Sequence, residues 1–201
     1  MKKRGVLGGT FDPVHNGHLG IARYVRESLA LDEVVFIPAG HPYLKGDTAI
    51  TQAEHRIAML RLALEGLPGF CVSDMEFQRP GPTFTLDTML EMKNSHPEEE
   101  IYFILGWDNL QALPRWYRPQ ELIRVCRLVA LPRPGTPRPD TAAIEKAVPG
   151  IGSRLCLLSA PEIDVSASDI RSKVARGQDI TALVPPTVAT YIRTHCLYNL
   201  E

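Results

Sequence analysis

The sequence lacks the cysteine spacing of a disulfide framework or a zinc site. Its four cysteines stand far apart in the 201 residues, at positions 71, 126, 156 and 196. Metal and redox motifs instead place two cysteines within a few residues of each other. Each of the four lies beside apolar residues, so we expect reduced cysteines that serve as small core side chains.

Long apolar runs and an excess of charge of one sign are also absent. No stretch reaches the apolar length of a membrane helix, and the basic residues 2–4 precede a glycine-rich segment rather than the apolar core of a signal peptide. The formal net charge is -1, which gives no general attraction to nucleic acid or membranes, so phosphate binding must be local. We expect a cytoplasmic protein with neither as a partner.

Six short apolar segments recur along the chain. Most are continuously apolar, as expected of strands buried on both faces of a sheet. They are residues 5–8, 34–37, 70–72, 101–105, 128–131 and 155–158. Because helical patterns separate them, the sequence predicts an α/β fold, a Rossmann-like doubly wound parallel sheet with helices on both faces.

Helices are predicted from apolar residues at helical spacing. The first covers residues 19–29, a capping-box pattern at Thr51–Glu54 predicts the start of the second, and others include residues 86–90 and 119–126. A turn-rich loop is expected over 132–139, which holds four prolines.

The end of the chain has a helical pattern without further strands. Helices are expected at 168–176 and 186–195. We therefore expect one domain over residues 1–201, with a C-terminal helical part at roughly 160–201.

The most informative segment, GGTFDPVHNGH at residues 8–18, joins the first strand to the first helix. Ligands of such sheets bind beyond the carboxyl ends of the strands. Gly8 and Gly9 allow close approach of the backbone, and a helix N-terminus favours an anion. A turn around Gly17 aims the imidazoles of His15 and His18 at one point, where they can donate hydrogen bonds to phosphate.

Two other interpretations of the histidines are weaker. As metal ligands they lack a third ligand of suitable local spacing, since only Asp12 is close. As plain capping or packing residues they leave the glycine pattern unexplained.

A second segment, Val165–Arg171, opens a later helix. Its hydroxyl residues Ser166 and Ser168 offer N-caps, and the Arg171 guanidinium can hold phosphate oxygens about one turn further on. Taken alone, this pattern is more typical of ordinary helix capping.

Together the two segments resemble the H-x-G-H nucleotidyltransferase superfamily, with His15-Asn16-Gly17-His18 as the signature and VSASDIR in place of I-S-S-T-x-x-R. The middle of the chain resembles the bacterial nicotinate mononucleotide adenylyltransferases, through residues 36–40, 83–85, 106–110, 116–117 and 133–135. The resemblance covers essentially the whole chain in order.

The resemblance implies transfer of AMP from ATP to nicotinic acid mononucleotide, with pyrophosphate released and Mg²⁺ accompanying ATP. It implies four catalytic residues, which are His15, His18, Lys45 and Arg171. It implies ATP contacts at Gly8, Gly9, Thr10, Phe11, His15, His18, Ser166, Ser168 and Arg171. It implies mononucleotide contacts at Thr83, Thr85, Trp107, Asp108, Trp116, Tyr117 and Arg133.

Where the family has a second Pro and a His before the Lys, this chain has Tyr43 and Leu44, which leaves the role of the Lys45 loop open. Trp107 also fits a core position, and Arg133 fits an ordinary loop charge equally well. No all-protein metal site is expected, because Mg²⁺ takes most of its ligands from substrate phosphates and water.

The alternatives are a phosphopantetheine adenylyltransferase, a cytidylyltransferase, a non-catalytic nucleotide-binding module and, more distantly, a metal-dependent hydrolase. The oligomeric state is left open, and a homo-oligomer is one of the states that the sequence allows.

Overall fold

The computed structural model describes residues 1–40, 50–79, 81–159 and 164–199. Six strands are present: β1 (Lys3–Gly9), β2 (Glu33–Pro38), β3 (Phe70–Val72), β4 (Glu100–Gly106), β5 (Arg127–Leu131) and β6 (Leu155–Leu157). All the pairings are parallel, in the order β3-β2-β1-β4-β5-β6. The predicted doubly wound Rossmann-like sheet is confirmed.

Eight α-helices lie in the described part of the chain: α1 (Asn16–Ser28), α2 (Ala53–Leu64), α3 (Thr85–Ser95), α4 (Trp107–Ala112), α5 (Pro119–Val125), α6 (Thr141–Ala147), α7 (Ala167–Ala175) and α8 (Pro186–Thr194). None of them is long and apolar enough to cross a membrane. Short 3₁₀ turns cover Met75–Gln78, Leu113–Arg115 and Ile151–Arg154.

Each face of the sheet carries its own buried cluster. Successive strand residues point to opposite faces, so Val34 and Phe36 of β2 join the cluster with α1, α2, α7 and α8, whereas Val35 and Ile37 join the cluster with α3, α4, α5 and α6. The strands are continuously apolar because both faces are covered.

The C-terminal helices pack on the first of these clusters through Ile170 of α7 and Val188 and Ile192 of α8. This packing supports the assignment of residues 1–201 to a single domain, which stays a prediction.

Some local predictions were wrong. The capping box at Thr51 does not form, because α2 begins at Ala53 and its N-cap, Gln52, makes no side-chain capping bond. The backbone of Thr51 is instead held by Asp12 and Arg56. Cys196 is exposed and is no core residue, although all four cysteines are free as expected.

Candidate active site

A cavity of about 1020 Å³ opens beyond the carboxyl ends of the strands. It lies where the strand order reverses between β1 and β4, which is the expected ligand site of such a sheet. Its walls come from the ends of β1, β4 and β5, the starts of α1 and α3, and residues 115–117 and 164–167. Thirteen of the predicted contact residues line it: Gly8, Gly9, Thr10, Phe11, His15, His18, Thr83, Thr85, Asp108, Trp116, Tyr117, Arg133 and Ser166.

The two glycines at the end of β1 each lie next to an aromatic side chain. A Cβ on Gly9 would lie 3.1 Å from the ring of Phe11, closer than nearly all real Cβ contacts, whereas one on Gly8 would make ordinary contact with Phe103. Phe11 adopts a positive φ of 50° and is 2% exposed. Its ring meets the edge of His18 at 4.9 Å between centroids. The Phe11 ring thus supports the loop from beneath.

The two histidines of the loop are brought together. Their rings stack, with centroids 3.6 Å apart and an interplanar angle of 28°. His15 is the N-cap residue of α1, and its backbone N–H donates to Nδ1 of His18 at 3.2 Å. In the neutral His18 ring the proton must therefore sit on Nε2, which makes Nε2 a hydrogen-bond donor.

The His15 ring is kept neutral by its surroundings. Burial, followed by the positive charge of Arg133, lowers its pKa from 6.5 to about 4. Because the His15 ring is neutral, the two stacked rings do not carry like charges at a centroid distance of 3.6 Å. Both histidines line the cavity, as the phosphate interpretation requires.

Arg56 stabilises the backbone around the site, and no pattern in the sequence indicated this role. It is 3% exposed, and its guanidinium donates to the backbone oxygens of Thr10, Ala39 and Thr51 at 2.9, 2.9 and 3.0 Å. It also lies over the Phe77 ring, 5.1 Å from the centroid. One buried cation thereby joins the phosphate loop to both flanks of residues 41–49.

The second predicted motif is only partly at the cavity. Ser166 caps α7 by accepting from Asp169 N at 3.1 Å, as predicted, and lines the cavity. Ser168 is exposed and bonds Ser166 Oγ at 3.1 Å. Arg171 donates from Nη1 to the Asp12 carbonyl oxygen at 2.7 Å. Neither Ser168 nor Arg171 lines the cavity, so their contacts with ATP stay predictions.

Another part of the cavity lining is aromatic. The rings of Phe84 and Tyr117 stack with centroids 4.6 Å apart, and Trp116 meets Phe103 edge-on at 6.1 Å. The Trp116 indole nitrogen is buried and has no partner among the described residues. Thr85 begins α3 at this wall, so a helix N-terminus faces the same space. A flat ring and an anion both suit this surface.

Asp108 and Arg133 both line the cavity and form an ion pair, with Nη1 and Oδ2 3.2 Å apart. Asp108 Oδ1 is buried and without a hydrogen-bond partner in the described part of the chain. Trp107 does not line the cavity and packs against the second core cluster, so its predicted contact with substrate has no support here.

Several lining residues were not predicted. Glu76 accepts from the Thr88 hydroxyl at 2.7 Å and from Gly40 N at 3.3 Å, which fixes the wall next to α3. Asn109 and Arg115 also line the cavity. Glu76 and Arg115 carry no local motif, so only the fold reveals them, whereas Asn109 lies in the 106–110 segment of the family resemblance. Lys45 lies outside the described residues.

Comparisons with known proteins agree with this geometry. A family model described as cytidylyltransferase-like matches residues 6–173. A protein of Dehalococcoides mccartyi named "Probable nicotinate-nucleotide adenylyltransferase" is 52% identical over 98% of this chain and 97% of its own length. One of the same name from Thermomicrobium roseum is 41% identical over 99% and 92%.

Solved structures agree on the fold. The nicotinic acid mononucleotide adenylyltransferase of Plasmodium falciparum, complexed with NaAD, superposes over the whole of both chains with a TM-score of 0.81 at 22% identity. The same protein complexed with APC gives a TM-score of 0.78 at 21% identity, again over both complete chains.

Proposed function

Because this chain belongs to the nicotinate-nucleotide adenylyltransferases of the cytidylyltransferase-like family, we propose that its cavity holds the ATP phosphates against His15 and His18. Nicotinic acid mononucleotide then occupies the wall of Thr85 and Trp116. The chain transfers AMP from ATP to this mononucleotide, giving nicotinic acid adenine dinucleotide and pyrophosphate, a step of NAD biosynthesis.

The proposal is supported most strongly by two chemically different walls that line the same cavity. The glycine loop and the stacked imidazoles form one wall, where N–H donors suit phosphate oxygens. The start of α3 and the Trp116 ring form the other, where a helix N-terminus suits a carboxylate and an indole suits a flat ring. This pairing favours the acid mononucleotide, because an amide brings N–H donors of its own.

The reaction needs no protein nucleophile. The 5′-phosphate of the mononucleotide attacks the α-phosphorus of ATP, and the bond from that phosphorus to the oxygen bridging the β-phosphorus breaks, so pyrophosphate leaves with the electron pair. A phosphate monoester with a second pKa of about 6 is largely dianionic at neutral pH. No general base is required, and the protein acts by positioning and by stabilising charge.

His18 is the stronger catalytic assignment. Its Nδ1 is occupied by the His15 amide, so Nε2–H donates to the transferring phosphate. Ser166 at the start of α7 and the cations Lys45 and Arg171 would assist at the triphosphate. The Asp108 carboxylate, through its unused Oδ1, would accept from a ribose hydroxyl.

ATP brings Mg²⁺ as its counterion in this proposal. Among the described residues, no three His, Cys, Asp or Glu side chains are placed so that they could hold a metal ion together. The oxygen ligands of the ion would therefore come mainly from the triphosphate and water, a donor set that Mg²⁺ prefers. When bound, the ion would neutralise charge on the phosphate oxygens. We place the reaction in the cytoplasm, with ATP and the mononucleotide as partners and self-association open to test.

Pyrophosphate release from ATP tests the assignment. It should be measured separately with nicotinic acid mononucleotide, nicotinamide mononucleotide and phosphopantetheine, and the first should react fastest. His18→Ala should lower kcat by about 10²–10³-fold, the usual cost of losing a donor to the developing charge. His96→Ala, at the far end of α3, serves as the matched control. Equal rates with all three acceptors, or a fully active His18→Ala, would refute the proposal.

A further inference from the structure

Asp12 is a buried carboxylate in the middle of the phosphate loop. It is 3% exposed, yet both oxygens are bonded: Oδ1 accepts from the Tyr198 hydroxyl at 2.7 Å, and Oδ2 accepts from Thr51 N at 3.2 Å. Its carbonyl oxygen accepts from Arg171 at 2.7 Å. One residue therefore connects the loop to the start of α2, to α7 and to the end of the chain.

Tyr198 reaches Asp12 through an unusual backbone path. After α8 the chain turns so that Leu197 N donates to Ile192 O at 3.0 Å. Cys196 and Tyr198 then both adopt positive φ values, 50° and 66°. Side-chain-bearing residues rarely occupy this region, and such conformations persist where surrounding contacts fix them. Here the contact that the path delivers is the hydroxyl on the Asp12 carboxylate.

We propose that Tyr198 is a positioning residue for adenylyl transfer, which acts by holding the Asp12 carboxylate and, through it, the His15–His18 loop. The inference rests on the proposed function for its kinetic readout. Tyr198 lies outside the cavity lining, so it acts through Asp12 and touches no substrate.

The chemistry of the contact suits this role. Burial, followed by the negative charge of Asp12, raises the pKa of Tyr198, so its hydroxyl stays protonated and donates. Bonds to both oxygens fix the orientation of the carboxylate three residues before His15. Without the hydroxyl the side chain can turn, which shifts the peptide whose oxygen holds Arg171. Small displacements of this kind cost rate, because in-line transfer depends on alignment.

The test is Tyr198→Phe, which keeps the ring and removes the hydroxyl. We expect kcat with ATP and nicotinic acid mononucleotide to fall about tenfold while both KM values change less than about twofold. Tyr191→Phe is the matched control, because it removes a hydroxyl on α8 that contacts His55, away from the cavity. It should retain the parental kcat.

Asp12→Ala separates positioning from general destabilisation. If Tyr198 acts through Asp12, adding Tyr198→Phe to Asp12→Ala should lower kcat by less than about twofold further. A parental kcat for Tyr198→Phe, or full additivity of the two changes, would overturn the inference.

Amide hydrogen exchange gives a readout that does not depend on turnover. Tyr198→Phe should speed exchange within residues 8–18 and Tyr191→Phe should not. If exchange in the loop were unchanged in Tyr198→Phe, the inference about Tyr198 would be wrong, whether or not the parental protein uses the mononucleotide. If the parental protein did not use the mononucleotide, that result alone would count against the proposed function.

Discussion

Replacing Arg56 by Met should be one of the most destabilising single changes near the site. The side chain is 3% exposed and donates to three backbone oxygens that belong to three different segments. Hydrogen bonds that involve a charged group contribute about 1.5–3 kcal/mol each. Their sum overstates the effect, because burial also lowers the Arg56 pKa, which reflects the cost of desolvating its charge.

Allowing for that cost, we expect Arg56→Met to lower the free energy of unfolding by about 3 kcal/mol. At about 2–4 °C per kcal/mol for a chain of this size, the Tm should fall by about 6–12 °C. Urea unfolding and a thermal melt measure both quantities.

Arg61→Met on the same helix is the control. Its ion pair with Asp74 spans 3.6 Å between side chains that are 66% and 44% exposed, and such pairs contribute less than about 1 kcal/mol. If the free energy of unfolding of Arg56→Met lay within about 0.5 kcal/mol of the parental value, this guanidinium would not stabilise the loop as its three hydrogen bonds indicate.

Three further results are expected. The folded pKa of His15, about 4, lies below its unfolded value of 6.5, so the unfolded state binds the proton first as the pH falls. The free energy of unfolding should therefore fall by up to about 3 kcal/mol between pH 6.5 and pH 4. Urea unfolding at a series of pH values should show a flatter dependence for His15→Gln in this range, and an unchanged slope would contradict the pKa shift. Trp116→Ala should raise the KM for the mononucleotide about tenfold with kcat nearly unchanged, and an unaltered KM in steady-state kinetics would remove the stacking role. Asp140→Ala should lower the free energy of unfolding by about 1 kcal/mol, because Asp140 Oδ1 caps α6 by accepting from two backbone amides at 3.0 Å. A thermal melt should show the lower Tm while kcat stays parental, and an unchanged Tm would mean that the cap does not contribute to stability.

The parts that could be predicted from sequence are those with a local or periodic signal. The six strands appear as apolar runs, and the His15–His18 turn is visible because its ring pair is separated by only three positions. The short helices α4 and α6 were missed, since six and seven residues are too few to show a period of 3.6. The equally short α5 was predicted because Pro119 marks its first turn.

The support beneath the site could not be predicted for a different reason. Arg56 bonds Thr10 across 46 residues, and Tyr198 bonds Asp12 across 186. Neither pair leaves a pattern in a single sequence, because only the folded path of the chain brings the partners together. Arg171 illustrates the same limit: its motif predicted a phosphate contact, whereas its observed bond is to the Asp12 carbonyl.

The contact between Asp12 and Tyr198 has a consequence for how the protein is made. A ribosome that has added Asp12 must add 186 more residues before the hydroxyl partner exists, which takes about 10–40 s at ordinary rates of elongation. During that interval the Asp12 carboxylate lacks the hydrogen bond that the Tyr198 hydroxyl later donates. The full rate of adenylyl transfer is therefore expected to be reached only late in translation, after most of the sheet is already built.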